Sequence, residues 1–460
     1  MKGCETMATK DLSVGKPWKV ILLFALPMIL SVTLQQVYNI ADSMIAGRII
    51  GPDALGAISA SYPITMIYLG LATGSGVGTG VVVSRFFGMK KMKEVKTSIY
   101  TALITFIIMA IVLAVLGALT AKVFLRALST DSKILNDAST YLVFYSVGMV
   151  FLFLYNVVTC IFQALGNSKT PLFFLVFSTT LNVILDITFA LNNMGVFGIA
   201  LATFIAQGIA SVASLSWLLF TLRKIESEKP EIYSFQLIKN ILLIAFPSMI
   251  QASIVAIGGV FVQKEVNTYG GDVTAAYGAA YKICYIVINI IFTLSNALSS
   301  YTSQNIGAGH MERVKPGLKA TFIMGLIIAL FFTSIFVPAS RGLVNLFLDK
   351  NAVSEGSNID FILDVGSKFL MIVTPFYVLV AVKISFDGVL KGAGDMRNFM
   401  IGTFIDLFSR VGFTFLLSRL FGLDGIWWSW PIGWILGSGA VVILYFTMRW
   451  KKINEGEPII

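Results

Sequence analysis

Four side chains in the first half of this sequence, Asp42, Asn182, Asp186 and Thr203, are of the types that hold a small cation. They offer two carboxylates, an amide oxygen and a hydroxyl. Such a set suits a proton or a hard monovalent ion such as Na+, with Asn182 and Thr203 completing the oxygen shell. Two carboxylates brought close together resist double ionisation, so the pair readily takes up a proton or is neutralised by a cation. Asn182 lies four residues before Asp186, which puts both on one face of a helix. The alternative is that these are unrelated polar groups, each bonded to its own helix backbone.

The segments that must position them are strongly apolar. The 460 residues are 57% hydrophobic and 13% charged, with a mean hydropathy of +0.84. Soluble domains carry roughly 25% charge, so the chain is a polytopic membrane protein rather than a soluble domain with an anchor. Apolar runs of at least ~18 residues number twelve. They are expected at Trp18–Ala46, Asp53–Phe86, Val95–Ala121, Ala138–Leu165, Pro171–Asn192, Val196–Leu222, Leu237–Val262, Val273–Ser303, Gly317–Pro338, Phe361–Leu390, Asn398–Leu420 and Gly425–Trp450. The first twenty residues are polar and the first apolar run is too long for a signal h-region, so no cleavable leader is expected. Of the 34 Lys and Arg, 22 fall on the side of the termini and nine on the other, which predicts cytoplasmic termini. On this topology Asp42, Asp186 and Thr203 all sit roughly 10 Å below the outer surface, at ~1.5 Å rise per residue. An ionisable group inside a bilayer costs at least ~2.5 kcal/mol and so marks a site by default.

The chain repeats itself. SRFFGMKKMKEVK after the second span matches SQNIGAGHMERVK after the eighth, aligning Ser84 with Ser303 and Gly88 with Gly307. ALPMI in the first span returns as AFPSMI in the seventh, pairing Pro27 with Pro247. FQALGNSKT resembles LKGAGDMRN, pairing Gly166 with Gly394. Six spans recur as six in the same orientation, the sign of a transporter built from two halves about an axis along the membrane normal. The domains expected are a tail (1–17), a six-helix bundle (18–222), a linker (223–236), a second bundle (237–450) and a tail (451–460).

Other features narrow the function. The +10 charge sits in loops between spans, which argues for orientation rather than a nucleic-acid partner. Cys4, Cys160 and Cys284 follow no metal-ligand or disulfide spacing, and the lone His310 lies in a loop. No catalytic constellation and no cofactor is expected. The second half carries Lys383 and Asp387, and Asp406 and Arg410, as two i,i+4 pairs that read as structural ion pairs. The repeat puts Arg410 where Asn182 sits, which suggests that its fixed charge replaces a bound cation there. Lys282 receives no role. GSGVGTG (Gly74 to Gly80) has no strand before it and no lysine, so close helix packing is expected rather than phosphate binding. Trp427, Trp428, Trp430 and Trp434 read first as an interfacial belt, and second as a wall for aromatic cargo.

These motifs together resemble the MATE (multidrug and toxic compound extrusion) family, in its DinF-like bacterial branch. The carriers are ALP and NIAD in the first span, GPDALGAISASYPI, FQALGNSKTP, NVILD, GVFGIALAT, TAAYGAAYKI and GVLKGAGD. The resemblance implies an all-α polytopic fold of MATE/MOP type, with twelve transmembrane helices in two pseudo-symmetric six-helix bundles around a V-shaped cavity. It implies a multi-pass protein of the bacterial inner membrane, a monomer that exchanges H+ or Na+ for amphipathic cationic drugs. Its cation site, for H+ or Na+, falls on Asp42, Asn182, Asp186 and Thr203, with Pro27 at a bending first helix. The acids of the NorM-like branch are replaced by Val255 and Val380. A lipid-linked precursor flippase of the wider superfamily is the alternative, and it would need a basic cavity.

Overall fold

A bilayer core offers the backbone no hydrogen-bond partners, so each apolar run closes its own bonds as a helix. The computed structural model describes residues 9–128, 130–348 and 358–455. Cys4, Lys350 and the tail residues 1–8 and 456–460 lie outside them. The first half contains α1 (Pro17–Ile45), α2 (Pro52–Gly88), α3 (Met92–Ala127), α4 (Leu135–Ala164), α5 (Lys169–Leu191) and α6 (Gly195–Lys224). The second contains α7 (Phe235–Asn267), α8 (Gly271–Gly307), α9 (Val314–Phe347), α10 (Ile359–Val373), α11 (Tyr377–Ala393), α12 (Met396–Phe421) and α13 (Leu423–Phe446), followed by a short α14 (Arg449–Glu455). Among the described residues twelve helical stretches are long and apolar enough to cross a membrane.

Several expected spans differ in detail, and the ninth runs on through Pro338 to Phe347. The tenth is split into α10 and α11 by a 3-10 turn over Thr374–Phe376, where Pro375 lacks a backbone N–H. Thr333 on α9 donates to the Thr374 carbonyl at this break (2.8 Å). The twelfth ends at Phe446 rather than Trp450. The chain turns there with Met448 at φ 57°, and Trp450 folds back from α14 to stack on Tyr445 (5.4 Å). By contrast α1 stays helical through Pro27.

The two halves meet at the end that carries the termini. There α2 and α8 cross at the repeated glycines. A Cβ on Gly88 would lie 2.1 Å from the Gln304 carbonyl oxygen, and one on Gly307 would lie 2.1 Å from that of Arg85. Only glycine lets the two backbones approach this closely. Around the crossing, Ser303 donates to the Val81 carbonyl (2.7 Å) and Arg85 to that of Ala393 (2.9 Å). Gln304 donates to the Ala164 carbonyl (2.7 Å) and accepts the Leu12 N–H (2.8 Å). The segment before α1 thus clasps both halves. The Lys10 N–H bonds to Leu165, Arg313 donates to Gly15, and Leu12 is fully buried. Asp11 pairs with Lys90. Burial pushes the Asp11 carboxyl up, but the bonds from Lys90 and Ser13 outweigh this and hold it below its ordinary value. The linker lies along α3, with Glu231 and Ser234 N–H groups bonded to Thr97 and Thr101.

Away from this end the halves part. The face of α2 that carries Gly78, Gly74 and Gly70 at four-residue steps packs on α7. Virtual Cβ atoms there fall 2.5 Å from Ala245, 2.4 Å from Met249 and 3.1 Å from Ala252. The glycine-rich run is therefore a helix-packing surface, and the gap widens along it. Beyond Gly70, α2 bonds to α4 of its own half through Ser61 and the Ala138 carbonyl. Likewise α7 turns to α12, with Gly258 against Leu407 and Tyr269 bonded to Ser418. One apolar core accordingly joins the first half to the terminal-end parts of the second, including Leu294, Leu298 and Tyr301. A separate core around Tyr277, Phe369 and Trp427 fills the opposite end of the second half. The result is a V closed at the terminus-bearing end.

Overpacking a crossing of this kind costs about 1–3 kcal/mol. Gly307→Ala is expected to loosen the closure, so that a cysteine placed at Leu12 reacts at least about tenfold faster with a bulky maleimide. An unchanged labelling rate would show that closure does not depend on the crossing.

Candidate functional site

The first half assembles its polar groups where α1, α5 and α6 meet. Asp186 is fully buried and Asn182 is 3% exposed, one turn apart on α5. Asp42 on α1 brings its carboxyl within hydrogen-bonding reach of Asp186. The Asn182 amide satisfies its neighbours with the nitrogen toward Asp186 and Tyr38. It lies 3.2 Å from Asp186 Oδ2 and 2.5 Å from the Tyr38 hydroxyl, while its oxygen accepts the Thr203 N–H at 3.1 Å. Tyr38 also bonds the Thr203 hydroxyl. All four expected residues are thus brought together.

With its nitrogen turned this way, Asn182 donates to Asp186 and to the Tyr38 hydroxyl. One oxygen of each carboxylate, Asp42 Oδ1 and Asp186 Oδ1, has no hydrogen-bond partner among the described residues. An unpaired buried carboxylate oxygen is costly, and a proton shared by the pair would relieve both.

Tyr38 and Tyr141 are site residues that the sequence reading missed. Tyr38 precedes Asp42 by four residues, so helical spacing alone places them on one face. Tyr141 on α4 lies in the electrostatic field of both acids, a contact that only the fold creates. A narrow crevice between α4 and α6, with room for about one water molecule, passes Tyr141 and Thr203. A wider opening, lined by Asp53, Asp137 and Thr140, lies at the end of this half away from the termini.

The second half is built differently at the corresponding places. The repeat carries Asp42 onto Val262, which is buried in apolar core, and Asp186 onto Thr414, whose hydroxyl pairs with Ser429 (2.8 Å). The charged residues form one network across α11 and α12 rather than two separate pairs. Lys383 lies 2.8 Å from Asp387 and 3.8 Å from Asp406, and Arg410 lies 3.8 Å from Asp406. Gly433 and Gly437 on α13 make the notch that admits Asp406. Arg410 rests on the Trp430 ring at 4.8 Å. Lys282 is exposed. Of the four tryptophans only Trp428 is exposed. Trp427, Trp430 and Trp434 are buried on one face of α13 against Tyr277, Phe369 and Tyr377, because their 3–4 residue spacing turns them inward. Cys160 and Cys284 are free thiols on separate helices.

Comparison with known proteins agrees with this architecture. The sequence model of the MatE family matches residues 27–188 and residues 244–416, one segment in each half. The probable multidrug resistance protein YpnP of Bacillus subtilis (strain 168) is 28% identical over 450 residues, covering 97% of this chain and 99% of that protein. The probable multidrug resistance protein YoeA of the same strain is 26% identical over 467 residues, covering 97% of each. A solved structure described as the outward-facing conformation of a multidrug resistance transporter of the MOP superfamily superposes with a TM-score of 0.87. It shares 22% identity and 99% coverage of both chains, and it shares the fold.

Removing one partner of a buried ion pair costs about 3–5 kcal/mol, whereas removing both costs far less. Arg410→Ala should therefore lower the Tm of the purified protein by several degrees, and Asp406→Asn in the same chain should recover most of the loss. A double variant as unstable as the single one would show that Arg410 acts by packing on Trp430 rather than by charge.

Proposed function

The chain belongs to the MATE family, and we propose that it is a multidrug efflux transporter driven by protons, expelling amphipathic cationic compounds from the cytoplasm. The observation that carries this reading is the Asp42–Asp186 pair, a fully buried acid and a half-buried one held against each other at a helix junction. Two carboxylates set against each other, each with one unpartnered oxygen, suit a shared proton, which supports H+ as the driving ion.

On this reading the protein is a monomer in the bacterial cytoplasmic membrane, and the charge bias of its loops supports placing both termini inside. The closed end of the V then faces the cytoplasm and the open end faces outward. Protons reach the pair from the outer side of the first half, past Asp53 and Asp137. Neutralising the pair removes the repulsion between α1 and α5 and lets α1 move about Pro27, where no N–H ties its turn to the preceding one. Cargo leaves as the cleft changes shape. Exchange follows only if proton and cargo prefer opposite states, because a ligand shifts an equilibrium no further than its differential affinity allows.

In proteoliposomes, an imposed pH gradient is expected to drive uptake of a lipophilic cation while an equal Na+ gradient at constant pH does not. Drive by Na+ alone would overturn the proton assignment. Asp42→Asn should reduce proton-driven transport at least about tenfold at unchanged protein level. Transport that survives would remove the acid pair from the mechanism.

A further inference from the structure

We infer that residues 10–15, just before α1, form a latch that seats only when the terminus-bearing end is closed, and so holds the protein in that state. The latch acts whichever ion or cargo the protein moves, and so stands apart from the efflux reading.

The segment lies across both halves. From the first half, the Leu165 carbonyl accepts the Lys10 N–H (3.0 Å), and Lys90 pairs with Asp11. From the second, Gln304 accepts the Leu12 N–H (2.8 Å), Asn305 donates to the Leu12 carbonyl (3.4 Å) and Arg313 donates to that of Gly15 (2.7 Å). Arg313 also donates to the Asn305 side chain (2.7 Å), which fixes both donors. Asp11 folds the segment on itself by accepting the Ser13 N–H (2.9 Å) and hydroxyl (2.6 Å). Leu12 is the apolar anchor and is fully buried, whereas Val14 is 66% exposed. Gly166 makes room for the chain. Its φ is +77°, and a Cβ there would lie 1.8 Å from the Lys10 carbonyl oxygen.

Gln304 ties the latch to the closure. Its side chain is fully buried, with the nitrogen donating to Ala164 across the halves and the oxygen accepting from Leu12. If the latch left a closed gate, that oxygen would be buried without a donor and a hole would remain at Leu12. Both are costly. Opening relieves them by admitting water. Parting of the halves in turn separates Leu165 and Lys90 from Gln304 and Arg313, so the segment keeps at most one set of bonds. Latch and closure therefore stabilise each other, and a segment that binds one state better shifts the equilibrium toward it.

The repeat supplies no second latch. The segment before α7 lies along α3 of the first half, bonded to Thr97 and Thr101. Arg85, the repeat equivalent of Gln304, donates to Ala393 across the halves, but its Nε has no hydrogen-bond partner among the described residues. The single latch runs directly into α1, which begins at Pro17 and carries Pro27 and Asp42. One continuous segment thus joins the acid-bearing helix to the gate.

Lys91 and Lys315 are exposed positions in the first and second halves, near the closure. Spin labels on Lys91→Cys and Lys315→Cys, in a chain whose native cysteines are replaced by alanine, read the separation of the halves by double electron–electron resonance in nanodiscs. Leu12→Asp should raise the ratio of open to closed protein at least about tenfold, while Val14→Asp leaves it within about twofold of the parent. Leu12→Ala, which empties the anchor site without adding charge, should raise it about threefold and serves if Leu12→Asp does not fold. Leu12→Met, which keeps the volume, should stay within about twofold. The same distance distribution in every variant, or equal opening in Val14→Asp, would overturn the latch and leave the efflux reading untouched.

Discussion

The structure depends on how closely two helices can cross. At the terminus-bearing end α2 and α8 approach until each backbone touches the other's carbonyl oxygen, at Gly88 and Gly307. This contact fixes the angle between the halves, and the glycine ridge of α2 against α7 extends the closure along the membrane normal. Every other inter-half bond at that end, from Gln304, Ser303 and Arg85 to the buried Leu12, is made possible by this approach. Small residues do this work because helices in lipid gain from backbone proximity rather than from burying apolar surface away from water.

A second constraint is electrostatic. The two halves share backbone architecture, including left-handed glycines at Gly166 and Gly394 that terminate equivalent helices. Their polar interiors do not match. Among the described residues each half leaves two carboxylate oxygens without hydrogen-bond partners, but the first sets Asp42 against Asp186, whereas the second has Val262 and Thr414 at those places and gathers its acids around Lys383 and Arg410. Acids balanced by neighbouring cations have less to gain from a proton than acids set against each other. On the function proposed above, this asymmetry makes the first half of an otherwise symmetric scaffold the side that responds to ions.

Much of this was legible from residue order because a bilayer enforces strict rules. Apolar runs of sufficient length must be helices, and basic loops orient them. Hence the twelve spans, the repeat and the closeness of Asp42, Asn182, Asp186 and Thr203 could be argued from spacing and depth. The break at Pro375 was signalled by the proline, and the turn at Met448 by nothing obvious in composition. The inward face of Trp427, Trp430 and Trp434 was written in their spacing, but the aromatic-belt preference concealed it.

The sequence by itself determined what is local or periodic: which segments are helices, how deep each polar group lies, and which face of its helix it occupies. Those properties follow from rise per residue and from the cost of an unpaired backbone in lipid. The tertiary structure alone decided that Tyr38 and Tyr141 lie beside the acids and that Lys383 bridges two helices into one network. Contacts between helices distant in sequence depend on how closely backbones can approach, and no single helix encodes that distance.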